Sequence, residues 1–396
     1  MEHHEVLRTR LAGQQLREPR AATSEEALKN LLAVQAQEFP YARWSLAQRT
    51  SGATAADVEQ AVADGRILRT HILRPTWHFV HRDDLPWLRA LSAPRLHQAN
   101  GGTYRRTGID DAAASRSAGV LAEAVAGGVH LTREQLAARL QGAGFPAKGL
   151  ALAYLIMHAE ISGVLVSGAP VRSPGGALRQ TYAAFDERVA GAATAAVPSR
   201  EEALAALALR YFGSRGPATV RDCADWSGLT MTDVRRGLAL ADEIAPGAIV
   251  AASFDGAEFY LRPAESGGEA PGRGGESWPG RESAQAGARD GQPQIDLVQC
   301  YDEYIMGYSV SRHYFGGTAP AYPFGDNPMH AVLLDGVLAG SWRHSLGRRG
   351  SAAQRCELDI RLSRPLGQEP ENALELAVAR YGDFLGMPAV RVPAGT

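Results

Sequence analysis

Apolar residues recur along this chain in short helical stripes, each set closed by a pair of alternating segments, and the cycle returns three times. The helix starts share one signature, a threonine or serine followed three residues later by an acid or amide. It occurs at Thr23 to Glu26, Thr54 to Asp57, Thr132 to Gln135, Ser199 to Glu202, Thr219 to Asp222 and Thr230 to Asp233. The first block predicts helices near 24–36, 42–50 and 55–64, then strands over 67–73 and 76–81 around Arg74 and Pro75. The second predicts helices near 115–126, 133–141 and 149–162, stopped by Gly163, with strands over 164–167 and 181–184 flanking a Gly/Pro/Ser loop. The third predicts helices near 200–212, 220–226 and 231–241, then a hairpin of 249–253 and 258–261 turning at Asp255-Gly256. Three helices and a hairpin are the plan of a winged helix, so three such units in tandem are expected.

After Pro263 the composition shifts to glycine, serine, glutamate and arginine as far as Pro293, too poor in aliphatic residues to build a core, and a linker is expected. Alternation resumes over 295–298, 331–334, 337–343 and 355–362, and a helix is predicted near 370–385. The expected fold class is therefore α+β. Its parts are winged-helix units over 1–105, 106–195 and 196–263, a flexible linker over 264–294, and a small β-barrel domain over 295–396.

One stretch of the first block breaks its own pattern. Leu28, Leu31 and Leu32 share a helical face, and Gln35, seven residues after Leu28 and four after Leu31, continues that apolar stripe. Gln37 follows just before Phe39-Pro40, where the residue preceding proline is pushed out of helical geometry. Buried amides need partners for every donor and acceptor, and two readings meet that need: glutamines tying down a helix end, or a polar site for a ligand or water.

Composition narrows the class without choosing among functions. A chain of 396 residues with 45% hydrophobic and 21% charged content is an ordinary globular protein with room for two to four domains. Lys29 and Lys148 are its only lysines, so the positive charge is arginine, which suits bidentate phosphate contacts and which a GC-rich genome would also produce. Cys223, Cys300 and Cys356 are widely spaced and form neither a zinc pattern nor a disulfide framework, which fits a reducing interior. The N-terminus carries no secretion signal, and His158 and Glu160 interrupt the most apolar stretch, so a cytoplasmic protein without a membrane span is expected. Walker loops, dinucleotide fingerprints, zinc-protease helices and nucleophile elbows are missing.

Taken together, Leu32-Ala33-Val34-Gln35-Ala36-Gln37, Trp44-Ser45-Leu46, Leu73-Arg74-Pro75-Thr76-Trp77-His78 leading to Asp83-Asp84-Leu85-Pro86-Trp87, Gly216-Pro217-Ala218-Thr219, Trp226-Ser227-Gly228-Leu229 and the run Tyr301 to Tyr308 resemble the winged-helix DNA glycosylases of the AlkZ and YcaQ type. That resemblance implies three winged helices and a C-terminal barrel in a C-shaped body around duplex DNA, with neither metal nor cofactor. It implies catalytic roles for Gln35 and Gln37 in a motif of glutamine, an aliphatic residue, then glutamine or aspartate. The small Ala36 is a mild departure. The glutamine form is typical of enzymes protecting antibiotic producers from their own DNA-alkylating products.

The expected activity is monofunctional hydrolysis of the N-glycosidic bond of bulky or crosslinked N-alkylpurines in double-stranded DNA, by a cytoplasmic monomer that joins the nucleoid when bound. Asp302 and Glu303, in an aromatic-flanked run, are the reserve catalytic carboxylates, with a hydrogen-bonded structural turn as their other reading. Arg43, Arg74, Thr76, His78, Arg343, Arg348 and Arg349 are the expected DNA contacts, the last three forming the best basic patch. A non-catalytic winged-helix transcription regulator is the alternative. Against it, the helix expected to enter a groove carries Asp57, Glu59 and Asp64 with Arg66 as its one arginine.

Overall fold

The computed structural model describes residues 2–173, 176–190, 197–263, 292–316, 330–346 and 355–392; nearly all of the expected linker lies outside them, as do Arg348 and Arg349. The chain opens on a helix that the pattern does not predict, α1 (His3–Gly13). The next, α2 (Ser24–Leu31), begins where expected, with the Thr23 hydroxyl accepting the Glu26 N–H at 3.2 Å, but it ends at Leu31 instead of near 36. Leu32 turns to φ 66°, and residues Ala33–Gln35 become strand β1. After β1 come α3 (Phe39–Ala47), α4 (Ala55–Ala63), β2 (Ile67–His71) and β3 (Trp77–His81). The three strands lie in the order β1-β3-β2, with Gln35 opposite His78 and Val34 opposite Phe79.

The expectation that Gln35 extends the apolar stripe of a helix is therefore corrected: Gln35 is on a strand. Pairing with β3 satisfies backbone groups that another helical turn would have used, and it continues to the Ala36 N–H, which donates to the Trp77 carbonyl at 2.7 Å. Side chains alternate along a strand, so Gln35 points away from the core face that holds Val34 and leads on to the fully buried Ala36, and Gln37 lies just beyond the strand.

A long helix, α5 (Leu85–Thr107), then leads into the second block and packs on two helices beyond it. That block holds α6 (Asp111–Val125), β4 (Leu131–Thr132), α7 (Arg133–Gly142), α8 (Gly149–Ile161), β5 (Leu165–Ser167), β6 (Val171–Arg172), β7 (Leu178–Arg179), β8 (Thr181–Ala184) and α9 (Phe185–Val189). Its sheet runs β4-β8-β5, and β6 and β7 form a separate ribbon. The third block holds α10 (Arg200–Arg215), α11 (Val220–Ser227), α12 (Met231–Ile244) and the hairpin β9 (Val250–Phe254) and β10 (Ala257–Leu261).

The C-terminal part comprises β11 (Ile295–Val298), the one-turn α13 (Glu303–Met306), a 3-10 turn at Arg312–Phe315, β12 (His330–Leu334), β13 (Val337–Leu346), β14 (Cys356–Leu362), α14 (Gln368–Leu385) and β15 (Ala389–Val392). The strand order is β11-β12-β13-β14-β15, and among the described residues the two edges do not pair. The expected closed barrel is thus an open five-stranded sheet. Closure fails because α14 carries the chain back to lay β15 parallel beside β14, which extends the sheet outward, and α14 itself packs on β11 and β15.

The apolar cores do not follow the block boundaries. One cluster joins Leu32, Leu68 and Leu73 of the first block to Tyr211, Trp226 and Leu229 of the third. A second joins Leu28, Trp44 and Val58 to Ile295, Trp342 and Tyr381 of the C-terminal part. The second block keeps a core of its own around Leu121, Leu140 and Leu155.

Gly228, which ends α11 at φ 70°, shows how closely the first and third blocks meet: a Cβ there would overlap the Leu73 carbonyl oxygen. Gly228→Ala combines a left-handed backbone with a clash against backbone, and about 2 kcal/mol or more of stability should be lost. Urea denaturation measures this, and an unchanged midpoint would contradict the contact.

Candidate active site

The site stands on two buried carboxylates. Glu303 has no exposed surface; its Oε1 accepts the Gln35 backbone N–H at 2.7 Å, while its Oε2 accepts from Arg215 Nη2 at 2.7 Å and Trp226 Nε1 at 2.8 Å. Arg215, equally buried, also donates to the Leu31 carbonyl at 2.8 Å and the Ala33 carbonyl at 3.0 Å. It thereby ends α2 and aligns β1 in one step, and this contact from the end of α10 stops the helix short of its stripe. Asp302 receives Arg49 at 2.9 and 2.7 Å, Gln48 at 3.1 Å and the Tyr304 N–H at 2.9 Å. Burial alone would raise its pKa, but the Arg49 charge and these hydrogen bonds hold it below the ordinary carboxylate range. Both reserve carboxylates are placed beneath the motif with their oxygens engaged.

Four predicted residues meet above this base. Gln35 Oε1 accepts from Arg74 Nη2 at 2.9 Å, and the same nitrogen lies 3.5 Å from His78 Nε2. His78 Nδ1 is 2.9 Å from the Thr76 carbonyl, so Nδ1 carries the proton and Nε2 is an acceptor. Burial, then the Arg74 charge, pushes His78 well below the ordinary histidine range, so it is neutral and cannot act as an acid. Arg74 Nε and Thr76 Oγ1 are buried atoms without a hydrogen-bond partner.

Gln37 faces an open cleft of about 460 Å³, which also meets Phe39, Tyr41, Arg69, Trp77 and Tyr182. Its Oε1 accepts the Trp77 N–H at 3.3 Å. Arg69 braces the motif from behind, donating to the Ala36 carbonyl at 2.8 Å and the Gln37 carbonyl at 3.2 Å with its guanidinium 4.3 Å over the Trp77 ring. Each glutamine thus has its oxygen fixed by one donor, and each Nε2 makes no hydrogen bond among the described residues.

The remaining predicted contacts lie apart. Arg43 is buried against the Ala55 carbonyl at 3.2 Å and Glu59 at 3.1 Å. Arg343 is exposed on β13, opposite Asp359 of β14. Sequence reasoning missed Arg69, a charged residue inside a buried strand whose partners are backbone carbonyls that no motif announces. It also missed Arg215, visible in the sequence only as the residue before Gly216-Pro217. Among the described residues no group of three or more His, Cys, Asp or Glu could hold a metal ion, and no helix is long and apolar enough to cross a membrane.

Two amides at the end of β1 thus stand over a buried Glu–Arg base in a three-block α+β chain. The sequence profile of the AlkZ-like DNA glycosylases matches residues 28–384, and the chain belongs to that family. Its structure is similar to that of the Streptomyces sahachiroi DNA glycosylase AlkZ, with a TM-score of 0.72 at 18% identity over 99% of this chain and 100% of that one. Among curated protein sequences none matches the chain.

Several histidines give the fold a shared pH dependence. Burial holds His78 well below its ordinary value and His158, His330 and His344 at about 4. The unfolded chain binds these protons below about pH 6.5 while the folded chain excludes them, so stability is complete above that pH and is lost as pH falls towards the folded values. Each fully buried histidine contributes up to about 1.4 kcal/mol per pH unit in that window. Urea midpoints should drop between pH 7 and pH 5; a flat profile would mean that these rings are charged in the fold.

Proposed function

We propose that the protein is a monofunctional DNA glycosylase that hydrolyses the N-glycosidic bond of bulky or crosslinked N-alkylpurines of the N7-alkylguanine type. It acts as a monomer on double-stranded DNA, with the three blocks read as winged-helix units embracing the duplex. The observation that carries the reading is the pair of glutamines at the end of β1, oriented by Arg74 and by the Trp77 N–H, with Gln37 lining an open cleft. An amide lacks the basicity to deprotonate water, but it fixes the water's direction through the lone pair that Trp77 leaves unused. That help suits a substrate whose alkylated purine is already cationic, because the glycosidic bond then breaks towards an oxocarbenium-like sugar and positioning carries much of the rate.

Gln37 is assigned to the water, and Gln35, whose free Nε2 is a donor, to the sugar-phosphate or the lesion. Arg74, Thr76 and His78 surround Gln35 as further contacts to the damaged strand. Lys29, the lysine nearest the motif in sequence, pairs with Asp83 at 3.3 Å, in keeping with hydrolysis without a lysine-dependent strand cleavage. The glutamine form of the motif supports a role in self-resistance to a genotoxic natural product.

Duplex DNA bearing a single N7-alkylguanine, incubated with the purified protein under single-turnover conditions, should yield abasic sites. Gln37→Ala should slow this by roughly 10- to 1000-fold with little change in DNA affinity, and Gln37→Asp should keep part of the rate. Uracil and 8-oxoguanine, poorer leaving groups from neutral nucleosides, should not be released. Efficient uracil excision would sink the account, and tight operator-specific binding without any abasic product would point instead to a regulator.

A further inference from the structure

Hydrolysis of a cationic nucleotide releases one proton overall, and neither amide nor the neutral His78 can take it. Asp302 and Glu303 are fully buried with their oxygens engaged. Two other carboxylates line the cleft that Gln37 faces, Glu38 and Glu134. Glu134 is exposed and paired with Arg179 at 3.3 Å. Glu38 differs from all of these. It stands at the cap position of α3, yet its side chain makes no capping bond, and it has no hydrogen bond or ion pair among the described residues. A half-buried carboxylate whose oxygens have no partner thus stands next in sequence to Gln37 and shares its cleft, and the fold gives it no structural role beyond attraction to the N-terminus of α3.

We propose that Glu38 is the catalytic base of this site, accepting the proton of the water that Gln37 orients; the proposal rests on the glycosylase reading above. In the step the C1′–N9 bond breaks, and its electron pair neutralises the cationic N7-alkylguanine. The water oxygen bonds to C1′, and its proton passes to the Glu38 carboxylate and then through the open cleft to solvent. The positive charge that enters on the purine leaves as that proton, so charge and atoms balance.

Glu38 is surrounded by neutral phenol, thiol and imidazole groups. Burial raises its pKa above the ordinary glutamate value, and burial also pushes Tyr41 and Cys300 up to about 12 and Tyr301 upward, so all three are neutral. His330 and His344, behind Tyr41, sit at about 4. Across the cleft Arg69 is held by the Ala36 carbonyl and Gln180 and Arg179 by Glu134, while Arg133 stands beside Tyr182.

The test uses the full chain and a duplex carrying one 7-methylguanine, with single-turnover rates measured from pH 5 to pH 8. The wild-type rate should rise with pH through the ionisation of Glu38 and then level off. Glu38→Gln should cut the plateau about 100-fold, at the lower end of what a general base contributes, and abolish the rising limb, while binding to undamaged duplex is no weaker. Glu38→Ala should regain activity with added formate, which a purely structural defect would not, and this arm decides the matter if Glu38→Gln folds poorly. A Glu38→Gln enzyme within about twofold of wild type, with the limb intact, overturns the role of Glu38 alone. A wild-type protein that releases no alkylpurine overturns the glycosylase reading and this role with it.

Discussion

The Glu303 carboxylate is the constraint around which the site is built. It joins three regions far apart in sequence: the Gln35 backbone on β1, Arg215 at the end of α10, and Trp226 on α11. Burying a carboxylate and a guanidinium costs several kcal/mol each, and the cost is offset by their mutual attraction and by the hydrogen bonds that engage both Glu303 oxygens. Arg215 Nη1 and Nη2 also reach the backbone on either side of Leu32, so the same pair holds that residue in a conformation unfavourable for a side chain with a Cβ. The motif's position is therefore fixed by charges beneath it, and its own side chains are left for chemistry.

Arrangement in advance is the common property of the polar groups above that base. Arg74 settles which way the Gln35 amide faces, the Trp77 N–H does the same for Gln37, and the Thr76 carbonyl sets the His78 tautomer. Dipoles fixed in this way spare a reaction the reorganisation that slows charged species in water.

Local signals in the sequence carried much of the fold. The helix starts at Thr54, Thr132, Ser199, Thr219 and Thr230 are reciprocal capping boxes in the structure, and the Asp255-Gly256 turn adopts positive φ at both residues. What failed was whatever depended on distant partners. The end of α2 depends on Arg215, and the open sheet depends on a parallel return by β15 that no short pattern encodes. Helix α5, which the pattern does not predict, holds Pro86 in its first turn, where no N–H is needed, and tolerates Pro94 inside it. In the site, Gln35 and Gln37 stood out by residue type in an apolar stretch. Arg69 and Glu38 did not, because their meaning lies in which neighbours they have or lack.

The cores that run across block boundaries bear on how such a chain can change over generations. A repeated helix-and-strand plan suggests parts that could be exchanged, lost or duplicated, as in solenoid arrays where each repeat leans only on its neighbours. Here, removing the third block would strip the apolar face around Leu68 and Leu73 and leave Glu303 charged and buried without Arg215. The second block has a core of its own, and Val166 and Phe185 join it to the core that the first and third share. The second block supplies the cleft-facing β7 and β8, while the first block, the third block and the C-terminal sheet must drift together.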